Sequence, residues 1–269
     1  MFVDAHVHID RFGRPAEVLA AAGASGVVCV AVTETPRDYE LAAVRIGRRK
    51  NVRVALGAHP LRAVALGREQ LKRFSTLIGQ VDYVGEIGLD GSREGRPSLP
   101  AQRRVFEHVL GTSGIRERVL SVHSRGAEGE TVTALIDAEV TAVMHWYSGA
   151  LKHADRALDA GLFFSVNAAM LRSQKGTRLL RSLPRDRVLT ETDGPYVRTG
   201  ARPAEPAHVP QLVADLAAVW GCEAEEARKQ IWDNMGSVFA RRTSPGPDKA
   251  PRTLAFDLGR GARAGALSS

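Results

Sequence analysis

The sequence predicts an α/β fold of the (β/α)₈ TIM-barrel class, completed by two terminal helices. Eight short apolar segments rich in β-branched residues recur along the chain, and helical patterns separate them. This alternation indicates a parallel sheet with crossover connections, and eight such units in about 240 residues fit a closed barrel. A doubly wound open sheet is the alternative, but the first β–α turn lacks a GxGxxG motif and no P-loop motif occurs.

The strands are predicted from their composition, taken in order. The first, FVDAHV, has the alternation of a β-strand, and the later segments are apolar runs such as GVVCVAV and LFFSVN. The predicted ranges are 2–7, 26–32, 51–57, 82–88, 118–123, 140–145, 162–167 and 187–192.

The helices are predicted between these strands and after the last one. Segments such as PAEVLAAAG and HADRALDAG have the pattern of helices that connect parallel strands. The predicted helical ranges include 15–23, 38–49, 99–111 and 153–161, and segments 208–221 and 223–240 predict the two terminal helices.

The composition is that of an ordinary globular protein, with 44% hydrophobic and 25% charged residues among 269. No apolar run approaches the length of a transmembrane helix, and no secretory signal is visible. Cys29 and Cys222 are too few for a disulfide framework or a CxxC metal site, and Cys29 is expected in the core. We therefore expect a cytoplasmic protein with no membrane partner.

The chain is expected to form one barrel domain over residues 1–242, followed by a flexible basic tail over residues 243–269. The formal net charge is +7, and residues 241–269 contribute six basic and two acidic residues to it. The charge alone is therefore weak evidence for a polyanionic substrate. The apolar and basic residues of the tail belong to no barrel element, so they could contact a protein partner, although a disordered extension is the simpler expectation.

Chemically versatile side chains occur where the predicted strands end, which is where barrels of this class place their active sites. His6 and His8 lie two apart on one strand, so both rings face one side, about 6–7 Å apart along it. Five of the eight histidines and two carboxylates fall at these ends: His6, His8, His59, Glu86, His123, His145 and Asp193. A single histidine there is best explained as structural, but the set predicts a metal site. His108, His153 and His208 are expected to be surface or structural residues.

The residue types predict the kind of metal. Imidazoles and carboxylates without thiolates suit Zn²⁺, Mn²⁺ or Mg²⁺. Four histidines and two carboxylates exceed the needs of one ion, so two divalent cations are predicted, with Glu86 bridging them. None of the six lysines lies at a strand end, so the carboxylated lysine that often bridges the metals of dinuclear amidohydrolases is not available. Two such cations can hold a phosphoryl oxygen and lower the pKa of a bound water.

The motifs DAHVHID, GAHP, GEIGLD, VHSR, MHWYSG and ETDGPY, in this order and spacing, resemble the TatD family of metal-dependent deoxyribonucleases within the amidohydrolase-like barrels. The resemblance covers residues 2 to about 240, including NMGSVF near the end of the barrel. It implies removal of nucleotides from the 3′ end of DNA, and sometimes RNA. The chain has GSREG after GLD, where family members commonly have an aromatic-rich stretch, so the substrate geometry stays open. GLDGSR, HWYSG, FFSVN and TETDGP also resemble shorter members from Qat anti-phage operons.

The resemblance implies a role for each matching position. It assigns His6 and His8 to one metal, Glu86 to the bridge, His123 and His145 to the second metal, and Asp193 to a place beside the attacking water. Glu86 and Asp193 are thus the implied catalytic carboxylates. His59 matches a histidine near the substrate phosphate.

Other residues near the predicted site have two interpretations each. Arg125 could hold a phosphate bidentately or be solvated, and Trp146 could stack on a base or pack on the rim. Tyr147 is more simply a packing residue, and Arg198 and Arg202 are more simply solvated loop residues.

Two other functions of the protein stay open, a small-molecule amidohydrolase and a partner-binding subunit of a defence complex. Basic and aromatic residues near the site favour the nuclease.

Overall fold

The computed structural model describes residues 1–47 and 49–242, and it has the predicted (β/α)₈ barrel. The eight barrel strands run parallel, and most are shorter at one or both ends than the sequence pattern suggested. They are β1 Phe2–Val7, β2 Val27–Ala31, β3 Val52–Val54, β4 Tyr83–Gly88, β5 Val119–His123, β6 Thr141–His145, β7 Phe163–Val166 and β8 Val188–Thr190. The expected tail, residues 243–269, lies outside the described residues.

The barrel consists of a three-stranded and a five-stranded parallel sheet. The two sheets meet at two seams, one between β3 and β4 and the other between β8 and β1. Continuous parallel pairing runs through β1–β2–β3 and through β4–β5–β6–β7–β8. At one seam, the backbone of Leu56 accepts from Gly85 N at 3.0 Å and donates to Tyr83 O at 3.1 Å. At the other seam, Asp193 N donates to His6 O at 2.9 Å. Both seams are close to residues of the predicted site, so closure of the barrel helps to position them.

Helices cover the outside of the barrel. They are α1 Pro15–Ala24, α2 Pro36–Ile46, α3 Arg68–Leu77, α4 Leu99–Leu110, α5 Glu128–Asp137, α6 Leu151–Asp159, α7 Ala168–Arg172, α8 Gln174–Ser182, α9 Val209–Trp220 and α10 Ala224–Ala240. A hairpin of two short strands, β9 Arg198–Thr199 and β10 Arg202–Pro203, follows β8. Within the described ranges, no helix is both long and apolar enough to cross a membrane.

The terminal helix α10 is fixed to the start of β8 by a buried amide. Asn234 donates from Nδ2 to the carbonyl oxygens of Arg185 and Val188, both at 2.7 Å. Phe239, in the next turns of the same helix, packs edge-on against Tyr83 of β4, with 5.0 Å between ring centroids. The helix therefore holds together strands that lie far apart in the sequence.

Cys29 is fully buried in β2, as expected for a core residue.

Candidate metal centre

Glu86, on β4, lies at the centre of the side chains that meet at the carboxyl end of the barrel. Both carboxylate oxygens face imidazole nitrogens. The distances are 3.2 Å to His8 Nε2, 3.6 Å to His6 Nε2, 2.8 Å to His123 Nδ1, and 3.4 Å to Nε2 of both His59 and His145. Burial opposes ionisation, but the surrounding imidazoles outweigh it and hold the pKa of Glu86 well below its usual range. Glu86 is therefore an anion shared by five histidines.

Three groups of side chains bring their ligand atoms within 4.8 Å of one another. They are His6, His8 and Asp193; His6, Glu86 and His145; and His59, Glu86 and His123. Glu86 belongs to two of the groups, as a bridging carboxylate would. The third group also brings His59, which the resemblance associates with the substrate phosphate, within ligand distance of Glu86 and His123.

Glu191, whose role no sequence motif indicated, fixes the orientation of His145. Its buried carboxylate lies 3.2 Å from His145 Nδ1, so the Nε2 of that ring faces Glu86. Glu191 also accepts hydrogen bonds from the Ser165 hydroxyl, from Asn167 Nδ2 at 3.0 Å and from the Trp146 backbone at 3.1 Å. A carboxylate behind a histidine in this way fixes the tautomer of a metal ligand. Its position two residues before Asp193, in TETD, is the only signal in the sequence.

The two histidines of β1 are held differently. His6 makes a 2.7 Å hydrogen bond from Nδ1 to Ser121 Oγ, and Nε2 faces Glu86. Burial, reinforced by His145, lowers the pKa of His6 to about 3, so the ring is neutral at physiological pH. His8 has a buried Nδ1 without a hydrogen-bond partner in the described structure, and its Nε2 faces Glu86 and Asp193. Neutral imidazole nitrogens are the form in which histidine binds metals.

His123, at the end of β5, lies between two carboxylates. Nδ1 faces Glu86, and Nε2 faces Asp90 Oδ2 at 2.9 Å. Burial disfavours the imidazolium, but hydrogen bonds to Asp90 and Glu86 raise the pKa of His123 to about 9. Asp90 belongs to the quoted motif GEIGLD, but no sequence pattern indicates that it pairs with His123.

Gly88 allows the chain to turn between Glu86 and Asp90. Its φ is +127°, and a Cβ there would lie 2.0 Å from the carbonyl oxygen of His123. Any residue with a Cβ at position 88 would therefore clash with this oxygen, and only glycine fits. The next residue, Leu89, donates its backbone N–H to the same oxygen at 3.1 Å. The glycine thus places Asp90 directly beside the imidazole of His123.

Asp193 closes the centre from the side of β8. Its Oδ1 is 3.7 Å from the Nε2 atoms of both His6 and His8. Its backbone adopts φ +48°, a left-handed conformation that aspartate tolerates better than most residues. Burial raises the pKa of Asp193 to about 7, despite the opposing effect of the nearby histidines. A carboxylate with a pKa near neutrality can act as a general base.

A further buried carboxylate, that of Asp4, lies beneath the centre. It accepts hydrogen bonds from the backbone and hydroxyl of Thr192 at 2.9 and 2.5 Å, and from His6 N at 3.3 Å. Thr190 donates its hydroxyl to Val3 O nearby. These side-chain bonds join β8 to β1 directly beneath the candidate metal ligands. Closure of the barrel and alignment of His6 with Asp193 therefore depend on the same contacts.

A cleft of about 650 Å³ opens above the centre. The predicted residues that line it are His8, His59, Glu86, His123, Arg125, His145, Trp146 and Asp193, and His6 lies fully buried behind them. Tyr147 is buried and donates to Ala150 O, so it is a packing residue. Arg198 and Arg202 lie in the β9–β10 hairpin and do not line the cleft.

One wall of the cleft contains an ion-pair cluster that no sequence pattern predicted. The Glu34 carboxylate, on the loop after β2, pairs with Arg62 and with Arg11 at 3.1 Å, and accepts from the Tyr196 hydroxyl at 3.1 Å. The pKa of Glu34 is lowered, because the arginines outweigh the effect of burial. Tyr196 also packs edge-on against His8, with centroids 4.9 Å apart. The cluster therefore connects the wall of the cleft to a ligand of the centre.

The donor set fits divalent cations. Five imidazoles and two carboxylates converge, and the second nitrogens of His6 and His145 are engaged by Ser121 and Glu191, which leaves Nε2 of each directed into the centre. Imidazole nitrogens and carboxylate oxygens without thiolate suit Zn²⁺ or Mn²⁺, and the carboxylates also suit Mg²⁺. A centre of this composition at the carboxyl end of a (β/α)₈ barrel defines the chain as a metal-dependent hydrolase.

Comparison with known proteins identifies the particular family. The family described as TatD related DNase matches residues 3–240. The chain belongs to this family.

Two curated relatives illustrate the range of the similarity. The chain is 30% identical over 253 residues to the uncharacterized metal-dependent hydrolase YcfH of Escherichia coli K12, an alignment that covers 88% of this chain and 95% of YcfH. It is also 30% identical over 199 residues to the 3′-5′ ssDNA/RNA exonuclease TatD of Dickeya dadantii, covering 68% of this chain and 75% of that protein.

A solved structure supports the fold. The crystal structure of YJJV, a TatD homologue from Escherichia coli K12, superposes with a TM-score of 0.81 and 23% sequence identity. The superposition covers 89% of this chain and 98% of the YJJV chain. The barrel predicted from the sequence is thus confirmed by the architecture of a relative.

Proposed function

We propose that this enzyme is a phosphodiesterase that removes nucleotides from the 3′ end of single-stranded DNA, with RNA as a second substrate. The observation that carries the proposal is the position of Glu86, whose two oxygens face separate groups of metal-ligating residues. This arrangement suits two cations bridged by one carboxylate, which is the arrangement that supports in-line displacement at phosphorus. The relative from Dickeya dadantii is named as an exonuclease on single-stranded DNA and RNA.

We assign His6, His8 and Asp193 to one cation, His123 and His145 to the other, and Glu86 to both. Bound cations would polarise the phosphoryl oxygen and make water a nucleophile at neutral pH. The protein contributes the orientation of the ligands, through Glu191 and Ser121, and their burial, which excludes bulk water.

Asp193 is the proposed acceptor of the proton of the attacking water. It is 4% exposed, and its Oδ1 lies 3.7 Å from the Nε2 atoms of both His6 and His8, so a water held by these residues is within its reach. The rigid turn that gives Asp193 its positive φ holds the carboxylate towards His6 and His8.

The cleft contains groups for binding a nucleotide. Arg125 is exposed and lines the cleft next to His123, where its guanidinium can hold a phosphate through two hydrogen bonds. Trp146 is 37% exposed at the other side and offers an indole face to a base. His59 lies 3.4 Å from Glu86 and also faces the cleft, so it can contact the scissile phosphate or a cation.

The test follows 5′-labelled single- and double-stranded DNA and RNA on a gel, with Mg²⁺, Mn²⁺, Zn²⁺ or chelator. We expect a ladder of 3′-shortened products that requires added metal. Full activity after exhaustive dialysis against EDTA would contradict metal dependence, and efficient cutting of a circular single strand would contradict exonucleolytic action. A parallel panel of amide and lactone substrates tests the alternative of a small-molecule amidohydrolase.

A role in anti-phage defence remains a proposal that rests on the resemblance of GLDGSR, HWYSG, FFSVN and TETDGP to Qat operon members. We also place the enzyme in the reducing cytoplasm, because Cys29 and Cys222 are both free thiols.

The defence role is tested by plaque formation on cells that carry the gene and its neighbours, compared with cells that carry an Asp193→Asn copy. Equal plaque numbers would contradict the defence role.

A further inference from the structure

Two shallow grooves extend away from the metal cleft along helices α7 and α8. The inner groove, of about 480 Å³, shares Trp146 and Ser148 with the cleft and is also lined by Met170, Lys175 and Leu179, among others. The outer groove, of about 390 Å³, shares Ser173 and Arg178 with the inner one. Cleft, inner groove and outer groove thus form one continuous path across the surface.

The path is strongly basic. Arg172, Lys175, Arg178 and Arg181 line it at every third position, and all four side chains are exposed. Across residues 1–47 and 49–242, none of the four makes an ion pair, and no acidic side chain lines either groove. Elsewhere on the surface some exposed arginines do form ion pairs, such as Arg103 with Glu130.

The spacing of the basic side chains suits an extended polyanion. Consecutive members on α8 are separated by three residues, or about 4.5 Å along the helix axis. Ser173 caps α8 by accepting from Gly176 N at 2.9 Å, so the positive end of the helix dipole faces the junction of the two grooves. The buried apolar side chains of Met170 and Leu179 form the floor of the inner groove. An apolar floor beside a row of cations suits bases and phosphates, respectively.

We propose that the inner and outer grooves bind the upstream part of a single-stranded nucleic acid whose 3′ end lies in the metal cleft. This inference rests on the proposed function and adds the course of the strand to it. Trp146 marks the passage from the cleft to the inner groove, and Lys175, Arg178 and Arg181 contact successive phosphates beyond it. Because the contacts involve the backbone, the path accepts strands of any sequence.

The test compares a triple variant, Lys175→Ala with Arg178→Ala and Arg181→Ala, with a matched control. The control, Arg45→Ala with Lys72→Ala and Arg104→Ala, also removes three exposed basic side chains without ion pairs in the described structure, on α2, α3 and α4. Both variants lose the same charge, so a difference between them reports location. Each is assayed on a 20-nucleotide strand, on a dinucleotide and on bis(p-nitrophenyl) phosphate.

We expect the groove variant to raise KM for the 20-nucleotide strand on the order of 10- to 100-fold at 0.1 M salt, because three phosphate contacts are lost. Each phosphate contact to a single strand contributes about 0.7 to the slope of log KM against log salt concentration, so the loss of three contacts should lower that slope by about 2. Activity on the dinucleotide and on the chromogenic ester should stay at the wild-type level, because both reach only the metal cleft. The control variant should match the wild type on all three substrates, and RNA should behave as DNA does.

Two results would overturn the proposal while leaving the nuclease function intact: a groove variant that matches the wild type on the long strand, or one that loses activity equally on the long strand and the dinucleotide. Failure of the proposed function would look different. In that case the wild-type enzyme would hydrolyse the chromogenic ester but no nucleic acid of either length.

Discussion

The floor of the metal cleft and the grooves beside it differ in how their charged residues are held. On the floor, Glu86 and Asp193 are at most 4% exposed, Glu191 is fully buried behind His145, and each of the three carboxylates faces at least one histidine. In the grooves, Lys175 and Arg178 are exposed, and neither has an ion-pair partner in the part of the chain that the structure describes. A buried charge without compensation costs several kcal/mol, whereas a solvated one costs little. Substitutions on the floor should therefore affect metal binding and turnover, and substitutions in the grooves or at Trp146, on the rim between cleft and grooves, should affect substrate affinity.

The largest effect is expected for Glu86→Gln, which removes the anion shared by five imidazoles. Metal content should fall sharply, and activity should fall to that of the chelated wild type, because a neutral amide cannot compensate two cations. Elemental analysis of the purified variant measures the first effect. Glu94→Gln is the matched control, since Glu94 is an exposed residue that lines the same cleft, and it should retain metal. Wild-type metal content in Glu86→Gln would contradict the bridging role.

A large effect on turnover is also expected for Asp193→Asn. The substitution retains the size and one acceptor oxygen but removes the basicity, so turnover should fall by about 10²- to 10⁴-fold, as for loss of a general base. Nucleic-acid binding should be largely retained. Because Asp193 is also assigned to one cation, single-turnover rates are measured at saturating metal, and a binding titration then separates loss of the base from loss of substrate binding. An Asp193→Asn enzyme with full activity would rule out this carboxylate as the base.

A smaller effect is expected for Glu191→Gln, because Glu191 acts through His145 and does not face the cleft. Loss of such a supporting carboxylate typically costs about 10- to 100-fold in metal affinity. Excess metal should restore most of the turnover, whereas a general defect in folding would not be rescued. A metal titration of activity, with thermal unfolding as the control, distinguishes the two explanations. Unchanged metal affinity would show that His145 needs no support from this residue.

At the rim, Trp146→Asn should weaken substrate binding by about tenfold. Stacking of a base on an aromatic ring is worth roughly 1–3 kcal/mol, and the low end suits a ring that is only partly exposed. Asparagine is the suitable replacement, because the backbone at Trp146 has φ +38° and asparagine tolerates that region. KM for an oligonucleotide should rise, while kcat and metal content stay constant. A fall in kcat alone would instead place the indole close to the reacting phosphate.

The smallest effect is expected for deletion of residues 244–269. The described barrel is already anchored at its end, where Arg242 pairs with Asp82 at 3.6 Å and Arg241 donates to Gly161 O at 2.8 Å. Thermal stability and basal nuclease activity should match those of the full chain, and association with a protein partner could be lost. A lower melting temperature or lower metal content in the truncated protein would show that the tail packs on the barrel.

The sequence predicted the floor of the cleft far better than its supports. Barrel topology follows from the repeated alternation of strands and helices, and the topology alone brings His6, His123 and His145 to one edge. The functions of Glu191 and Asp90 depend on partners that lie 46 and 33 residues away along the chain. No local pattern contains that information, because it arises from register and side-chain orientation after folding. The basic path was missed for a similar reason, since Trp146 and Lys175 become neighbours only in the folded chain.

The hydrogen bond from the Trp146 backbone to Glu191 has a practical consequence for altering this enzyme. The same carboxylate positions His145, so the main chain at position 146 is fixed relative to the reacting centre whatever side chain it carries. The indole itself is on the surface and makes no hydrogen bond within the described residues. Under the proposed nuclease function, position 146 is therefore a suitable site at which to screen a library of side chains for altered base preference while Glu191 continues to orient His145. Residues with small or amide side chains, which accept the left-handed backbone, are the natural starting members of that library.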